Sequence, residues 1–176
     1  MNTSSATLLP LGTASGAPES ALIDRFGRRL SYLRVSVTDK CDLRCSYCMP
    51  KGFHGFEEPE NWLNFDEIQR VVAVFARLGV ARVRLTGGEP LLRRGLPDLV
   101  QRLSQLPGLD DISLSSNATQ LAKHAQALRH AGLKRINVSL DSLDKACTER
   151  SQGVIAFPVL WRACKQVKVP GLHLLN

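Results

Sequence analysis

Alternating hydrophobic and polar positions recur in four short segments, which are separated by longer stretches of helical periodicity. The alternating segments predict β-strands at residues 31–37, 81–86, 111–116 and 135–141. The stretches between them predict helices: one with Asn64 as its N-cap and Gly79 as its stop, one that begins near Pro97, and one over about 120–132. Strands that alternate with helices predict βαβ crossovers and a parallel sheet.

The alternation divides the residues of the four strands between two unlike faces. One face is apolar and would pack beneath the helices. The opposite face carries hydroxyl, amide, carboxylate and guanidinium groups, from Arg34, Ser36, Arg84, Thr86, Ser113, Ser115, Asn137, Ser139 and Asp141. Because polar groups are costly to bury without partners, this face predicts the wet or ligand-filled interior of an open or partial α/β barrel, with its site at the carboxyl ends of the strands. An antiparallel sheet with one solvated face is the alternative.

Three cysteines follow the first predicted strand. Cys41, Cys45 and Cys48 form a C-x3-C-x2-C motif. Three thiolates can ligate three irons of a [4Fe-4S] cluster and leave the fourth iron open to another molecule. The same thiols could instead hold zinc, with His54 or a distant group as the fourth ligand. The spacing therefore predicts a metal centre in this loop and leaves the identity of the metal open.

Composition narrows the range of functions. The 176 residues, of which 44% are hydrophobic, predict one domain with a core. A formal net charge of +7 indicates an anionic partner, and a phosphorylated small molecule, a nucleic acid and a merely solvated basic surface are each compatible with it. Because no basic stretch is interleaved with aromatic residues, we expect no nucleic-acid partner.

The first residues predict a leader rather than a targeting signal. Residues 1–24 are rich in Ser, Thr, Ala, Gly and Pro, which is typical of a disordered segment. They contain no apolar run of the length that a signal peptide or a membrane span requires. We therefore expect a cytoplasmic protein without a membrane partner, in which cysteines serve metal binding, catalysis or burial before disulfides.

Three stretches carry motifs that occur together in one known family. They are "DRFGRRLSYLRVSVTDKCDLRCSYCMP", "RVRLTGGEPLLRR" and "RINVSLDSLD". Over about residues 24–144 the chain resembles the radical S-adenosylmethionine (SAM) enzymes and, within them, the GTP 3',8-cyclase family of molybdenum cofactor (molybdopterin) biosynthesis. The resemblance implies a partial (β/α) barrel of the radical SAM type with about four βα units. It also implies a lyase that converts GTP to (8S)-3',8-cyclo-7,8-dihydroguanosine 5'-triphosphate through a 5'-deoxyadenosyl radical.

The resemblance further implies roles for individual residues. The cysteines would ligate a [4Fe-4S] cluster whose open iron takes the amino and carboxylate groups of SAM; they are Cys41, Cys45 and Cys48. The positions that match SAM-binding residues are Tyr47, Gly88 and Ser139. The positions that match GTP-binding residues are Arg34, Arg84 and Ser115, and two guanidinium groups suit a triphosphate. An electron donor and a second copy of the chain, as a homodimer, are further candidate partners.

The chain departs from the family pattern at two places. Ala118 stands where the family usually has a glycine, so we expect backbone strain in that turn. After Asp144 the pattern lacks the family's clear helix and its lysine-containing fifth strand. We therefore expect a radical SAM core over 25–144, a barrel wall that stops after four strands, and a divergent tail over 145–176 of the kind that truncation or a frameshift produces. A radical SAM enzyme with another substrate and a non-catalytic metal-binding remnant stay open as alternatives.

Overall fold

Strands and helices alternate along the part of the chain that the structure describes. The computed structural model describes residues 21–49, 52–53, 55–56, 62–142, 144–152, 158 and 170–175. The strands are β1 (Tyr32–Ser36), β2 (Arg82–Thr86), β3 (Asp111–Ser116), β4 (Arg135–Val138) and β5 (His173–Leu175). The α-helices are α1 (Phe65–Arg77), α2 (Leu96–Ser104), α3 (Leu121–His130) and α4 (Lys145–Gln152), and a 3-10 helix spans Pro90–Leu92.

The five strands form one parallel sheet in the order β1-β2-β3-β4-β5. The register aligns Leu33 with Val83 and Val83 with Ile112, so the apolar face continues from strand to strand. On the polar face Arg34 of β1 lies beside Arg84 of β2. The predicted parallel α/β fold is therefore confirmed, and the antiparallel alternative is wrong.

Helix α1 begins where the sequence predicts. The Asn64 side chain accepts the Glu67 N–H at 3.0 Å, and the Glu67 carboxylate accepts the Asn64 N–H at 2.7 Å, which together form a capping box. Beyond the helix, Gly79 adopts the left-handed conformation with φ of 92° that commonly ends helices. Val71, although apolar, is 42% exposed. The positions of α1 that are buried are Ile68, Val72 and Ala76.

The hydrophobic core lies between one face of the sheet and the helices. The strands contribute side chains that are at most 3% exposed: Val83, Leu85, Ile112, Leu114 and Ile136. The helices contribute Leu96, Leu99, Leu103, Leu121 and Leu128, at most 2% exposed. Burial of each such side chain stabilises the fold by about 1.5–3 kcal/mol. The strands therefore turn their apolar positions toward the helices, as the alternation predicts.

The sheet continues beyond the four strands that the pattern shows. Helix α4 follows Asp144, whose carboxylate accepts the Cys147 N–H at 2.8 Å. Strand β5 then pairs with β4, with His173 beside Arg135. The expectation that the barrel wall stops after four strands was wrong, because a strand of three residues is too short to show an alternating period. The other parts of the tail, including 153–157 and 159–169, lie outside the described residues.

The end of the predicted leader is part of the folded chain. The Leu22 N–H donates to the Leu78 carbonyl at 3.2 Å, and Ile23 forms an antiparallel bridge with Arg29. The prediction of a disordered leader was therefore wrong for residues 21–24, whereas residues 1–20 lie outside the described part. Within the described part, no helix has both the length and the apolar character needed to cross a bilayer.

Candidate functional site

A cavity of about 610 Å³ opens at the carboxyl ends of the parallel strands. Eight of the nine residues that the sequence singled out line it: Arg34, Cys41, Cys45, Tyr47, Cys48, Gly88, Ser115 and Ser139. The ninth, Arg84, is not among the described lining residues. The volume falls within the range of roughly 300–1,000 Å³ that is typical of ligand pockets. The fold thus brings residues of β1 and β3, of the segments that follow β2 and β4, and of the cysteine loop to one site.

The cysteine loop supplies three free thiols to this cavity. Cys41 and Cys45 are half-buried against the hydrophobic core, and Cys48 is exposed. The N–H of Cys48 donates to the Cys45 carbonyl at 3.0 Å, which closes a turn between the last two thiols. Burial raises the pKa of both Cys41 and Cys45. Because a thiol must lose its proton to bind metal, metal binding at these two residues would release protons.

The glycine pair after β2 lets two loops approach very closely. A Cβ atom on Gly88 would lie 2.3 Å from the Asp39 carbonyl oxygen and 2.4 Å from that of Lys40. A Cβ atom on Gly87 would lie 2.2 Å from the Thr38 carbonyl oxygen. The Gly88 N–H donates to the Thr38 carbonyl at 2.8 Å, so the absent side chains are a condition of this contact. The glycines therefore position the segment that leads directly into Cys41.

The glutamate that follows the glycines forms a buried network that the sequence analysis missed. Glu89 is 0% exposed, and its Oε1 accepts the Leu91 N–H and the Ser116 hydroxyl, both at 2.9 Å. Its Oε2 accepts the Asn117 N–H at 2.6 Å. Burial raises the pKa of Glu89. This carboxylate joins the β2 loop to the end of β3, and an acidic residue next to a glycine pair was the available signal for it.

The far side of the cysteine loop is tied to helix α4. The Tyr47 hydroxyl donates to Asp141 Oδ1 at 3.1 Å, and local desolvation raises the pKa of Tyr47 to about 12. The Ser46 N–H donates to the Ser151 carbonyl at 2.9 Å. Gln152, which the sequence analysis also missed, lines the cavity and is 2% exposed.

One side-chain atom of Gln152 has no hydrogen-bond partner among the described residues. Its Nε2 donates to the Ser139 carbonyl at 3.3 Å, whereas its buried Oε1 has no hydrogen-bond partner among the described residues. An unpaired buried acceptor costs about 1–3 kcal/mol, so a donor on a bound molecule would stabilise this site.

The two arginines differ in their surroundings although they are neighbours across β1 and β2. Arg34 is exposed and lines the cavity. Arg84 is half-buried, with its guanidinium carbon 5.5 Å from the centroid of the Tyr32 ring. Its Nε is buried without a hydrogen-bond partner in the part of the chain described. Of the predicted arginine pair, Arg34 is the one placed at the cavity.

The turn after β3 has the strain that the sequence predicts. Ala118 is fully buried and has φ of 60°, in the left-handed region where glycine is favoured. Its N–H donates to the Ser116 hydroxyl at 2.9 Å, which holds the turn in place. The turn follows Asn117, another lining residue of the cavity.

These residues fit the iron–sulfur cluster that the resemblance implies. Three thiols, a soft donor set, line one cavity, and Gly88 lines it beside them. In the described residues, no group of three or more His, Cys, Asp or Glu side chains converges on a single ion position. The cysteines of a cluster bind different irons, so they are not required to converge on one point.

Comparison with known sequences identifies a superfamily over most of the chain. The Radical SAM superfamily matches residues 35–173. A GTP 3',8-cyclase of Hydrogenovibrio crunogenus is 54% identical over 124 residues, which cover 70% of this chain and 38% of that protein. A GTP 3',8-cyclase of Erythrobacter litoralis is 52% identical over 157 residues, which cover 88% of this chain and 47% of that protein. The chain therefore spans less than half the length of these curated relatives.

Solved structures share the fold. HydG, a maturase of the [FeFe]-hydrogenase, gives a TM-score of 0.62 at 14% identity, over 81% of this chain and 34% of that chain. Native anSMEcpe with bound AdoMet gives a TM-score of 0.60 at 20% identity, over 81% of this chain and 42% of that chain. The superfamily match runs from β1 to β5 and includes the three cysteines and the glycine pair. The chain belongs to the radical SAM superfamily.

Proposed function

We propose that this chain carries the cluster-binding and SAM-binding part of a GTP 3',8-cyclase, which converts GTP to (8S)-3',8-cyclo-7,8-dihydroguanosine 5'-triphosphate in molybdenum cofactor biosynthesis. The observation that carries this proposal is the single cavity that eight of the nine family-matched residues line. The named relatives at 54% and 52% identity favour GTP over another substrate. Membership of the radical SAM superfamily implies SAM and an iron–sulfur cluster as cofactors.

Three thiolates would hold a [4Fe-4S] cluster in this proposal: those of Cys41, Cys45 and Cys48. The bound cluster supplies one electron for the reductive cleavage of SAM. The chain itself positions the three thiols. Hydrogen bonds on both sides of the cysteine loop hold this loop against the segment after β2 and against Asp141 and α4. Three protein ligands on a four-iron cluster leave one iron for SAM.

The side chains that line the cavity suit SAM, which is a nucleoside joined to an amino acid. Tyr47, Gly88 and Ser139 are our candidates for SAM contacts, and they lie in three different connecting segments: the cysteine loop and the segments that follow β2 and β4. The unpaired Oε1 of Gln152 offers a hydrogen-bond acceptor beside the Ser139 carbonyl. The apolar and aromatic side chains of this cavity, including Phe53, would exclude water from the bound molecule.

Arg34, Arg84 and Ser115 are our candidates for GTP. A guanidinium group makes paired, charge-assisted hydrogen bonds to phosphate oxygens. Arg34 stands exposed at the cavity, and the net charge of +7 favours the approach of a triphosphate. Ser115 lines the same cavity from β3, where its hydroxyl can donate to or accept from a bound nucleotide.

Anaerobic reconstitution tests the metal assignment. We expect about four irons and four sulfides per chain in the wild type, and loss of most iron from Cys41→Ala, because that variant lacks one of the three thiolates that would hold the cluster. Cys147→Ala is the matched control, since Cys147 is an exposed free thiol on α4 and should leave the iron content unchanged. A wild-type chain that takes up zinc but not iron would contradict the cluster.

A separate measurement tests the substrate. The reduced, reconstituted chain is incubated with SAM and either GTP, ATP or no nucleotide, and 5'-deoxyadenosine is quantified by chromatography. We expect GTP to change the rate of its release and ATP to have no effect. Equal rates in all three reactions would contradict GTP while leaving the cluster assignment intact.

A further inference from the structure

The side-chain amide of Asn117 contacts one of the three thiols directly. Asn117 follows β3 and is 8% exposed. Its Nδ2 donates to Asp42 Oδ1 at 2.8 Å and lies 3.8 Å from Cys41 Sγ, within the hydrogen-bond range for sulfur. A primary amide carries two N–H groups, so one hydrogen is available for each of these acceptors.

The hydrogen-bond network determines which way this amide points. Asn117 Oδ1 accepts the Thr119 N–H at 3.0 Å. A flipped amide would place its oxygen against the Asp42 carboxylate and its NH2 group against that N–H, which are two repulsive contacts. The donor face of Asn117 is therefore directed at Cys41 and Asp42.

The backbone of Asn117 is held as firmly as its side chain. The Asn117 N–H donates at 2.6 Å to the buried Glu89 carboxylate. The next residue, Ala118, turns the chain with φ of 60° and donates its N–H to Ser116. Cys41 is anchored from the other side, because Glu89 also donates its own N–H to the Lys40 carbonyl at 2.7 Å. Both ends of the amide–sulfur contact therefore depend on one buried glutamate.

We propose that Asn117 is a positioning residue that donates an N–H···S hydrogen bond to the Cys41 ligand and thereby raises the reduction potential of the cluster. Hydrogen bonds to cluster sulfurs and ligand thiolates tune these potentials. Reduction adds one negative charge to the cluster, so a donor next to Cys41 Sγ stabilises the reduced form more than the oxidised form. This inference rests on the proposed cluster assignment.

Asp42 has the opposite effect on the same ligand. Its carboxylate is adjacent to Cys41 in sequence and opposes additional negative charge there. The Asn117 amide and the Thr119 hydroxyl, at 2.8 and 2.5 Å, both donate to this carboxylate and offset part of its field. Loss of the amide therefore removes a donor to sulfur and also leaves Asp42 less neutralised, and both changes lower the potential.

The test is a redox titration of the reconstituted chain without SAM, with the reduced cluster followed by EPR spectroscopy. We expect Asn117→Asp and Asn117→Ala to lower the equilibrium constant for one-electron reduction by about tenfold, which is about 59 mV. Asn64→Asp is the matched control: it makes the same substitution at the exposed N-cap of α1, where aspartate caps equally well, and should leave the potential unchanged.

Each outcome decides the inference. A lower potential in both Asn117 variants supports it, whereas a shift in Asn117→Asp alone would show a charge effect and overturn it. If the variants fail to assemble a cluster, wild-type chain with ¹⁵N in its asparagine side chains is examined by pulsed EPR. Coupling between ¹⁵N and the reduced cluster supports the contact, and its absence overturns it. A wild-type chain that binds no iron overturns the cluster assignment and this inference together. Asn117 variants that assemble a normal cluster with an unchanged potential overturn this inference alone.

Discussion

Replacement of Gly88 by alanine tests the close approach of the two loops beside the cavity. The new Cβ atom would lie 2.3 Å from the Asp39 carbonyl oxygen and 2.4 Å from that of Lys40, where real Cβ atoms essentially never approach within 3.0 Å. The loops must therefore separate by about 0.7 Å. Both neighbours are backbone atoms, so no side-chain rotation can relieve the contact.

The cost follows from packing and from the hydrogen bonds across this contact. Overpacking of a well-packed region costs about 1–3 kcal/mol. The Gly88 N–H and the Glu89 N–H donate across the two loops at 2.8 and 2.7 Å, and each bond contributes about 0.5–1.5 kcal/mol. We expect Gly88→Ala to lower the free energy of unfolding by about 3 kcal/mol. Because Lys40 precedes Cys41, we also expect a lower iron content.

Urea denaturation followed by circular dichroism measures the free energy of unfolding, and iron analysis after reconstitution measures the site. Gly55→Ala is the matched control, because among the described residues a Cβ atom there meets only the Phe53 ring, at 3.9 Å. We expect that control to match the wild type in both measurements. A Gly88→Ala variant with wild-type stability and a full complement of iron would refute the argument.

Four further predictions concern other residues of the same site. Glu89→Gln sets an amide N–H against the N–H of either Asn117 or Leu91 and should lower the free energy of unfolding in urea by about 1–3 kcal/mol. Because burial raises the pKa of Glu89, the folded state binds its proton more tightly, so wild-type stability should fall as pH rises through that pKa; an unchanged slope in Glu89→Gln would contradict this. Ala118→Val should lose more than about 1 kcal/mol in the same assay and Ala118→Gly should not, because a β-branched residue tolerates the left-handed conformation poorly; equal losses would contradict the strain. Arg34→Ala should weaken GTP binding by about ten- to a hundredfold in calorimetry and Arg84→Ala by less, because Arg34 lines the cavity; the reverse order would reassign the phosphate contact.

Local patterns were sufficient to predict four of the five strands and the cysteine loop. Alternation over four or more residues predicted β1 to β4, and the cap at Asn64 follows from side-chain chemistry within one helical turn. The polar face predicted where the cavity opens, because parallel strands end at the same edge of a sheet. Strand β5 was missed because three residues carry no measurable period.

The rest of the site depends on contacts between residues that are distant in the sequence. Asn117 reaches Asp42 across 75 positions, and Glu89 reaches Asn117 across 28. Neither pair leaves a local pattern, because each partner is an ordinary polar residue in its own segment. Gln152 was missed for the same reason: it lies on a helix of low apolar content, and only the folded chain brings it to the Ser139 carbonyl. A single sequence shows which residues can donate or accept, whereas the fold shows which of them meet.

The bond between Ser46 and Ser151 has a consequence for the order of events during synthesis. It spans 105 positions, and the Tyr47–Asp141 bond beside it spans 94. The ribosome must therefore extend the chain by about a hundred residues after Cys48 before these hydrogen bonds to the cysteine loop can form. Contacts of such large sequence separation close long loops, and the entropy of loop closure slows folding. During this interval Cys41 and Cys45, which are half-buried in the folded chain, are more accessible to oxidants and to competing metals, so a reducing environment would protect them until the site closes.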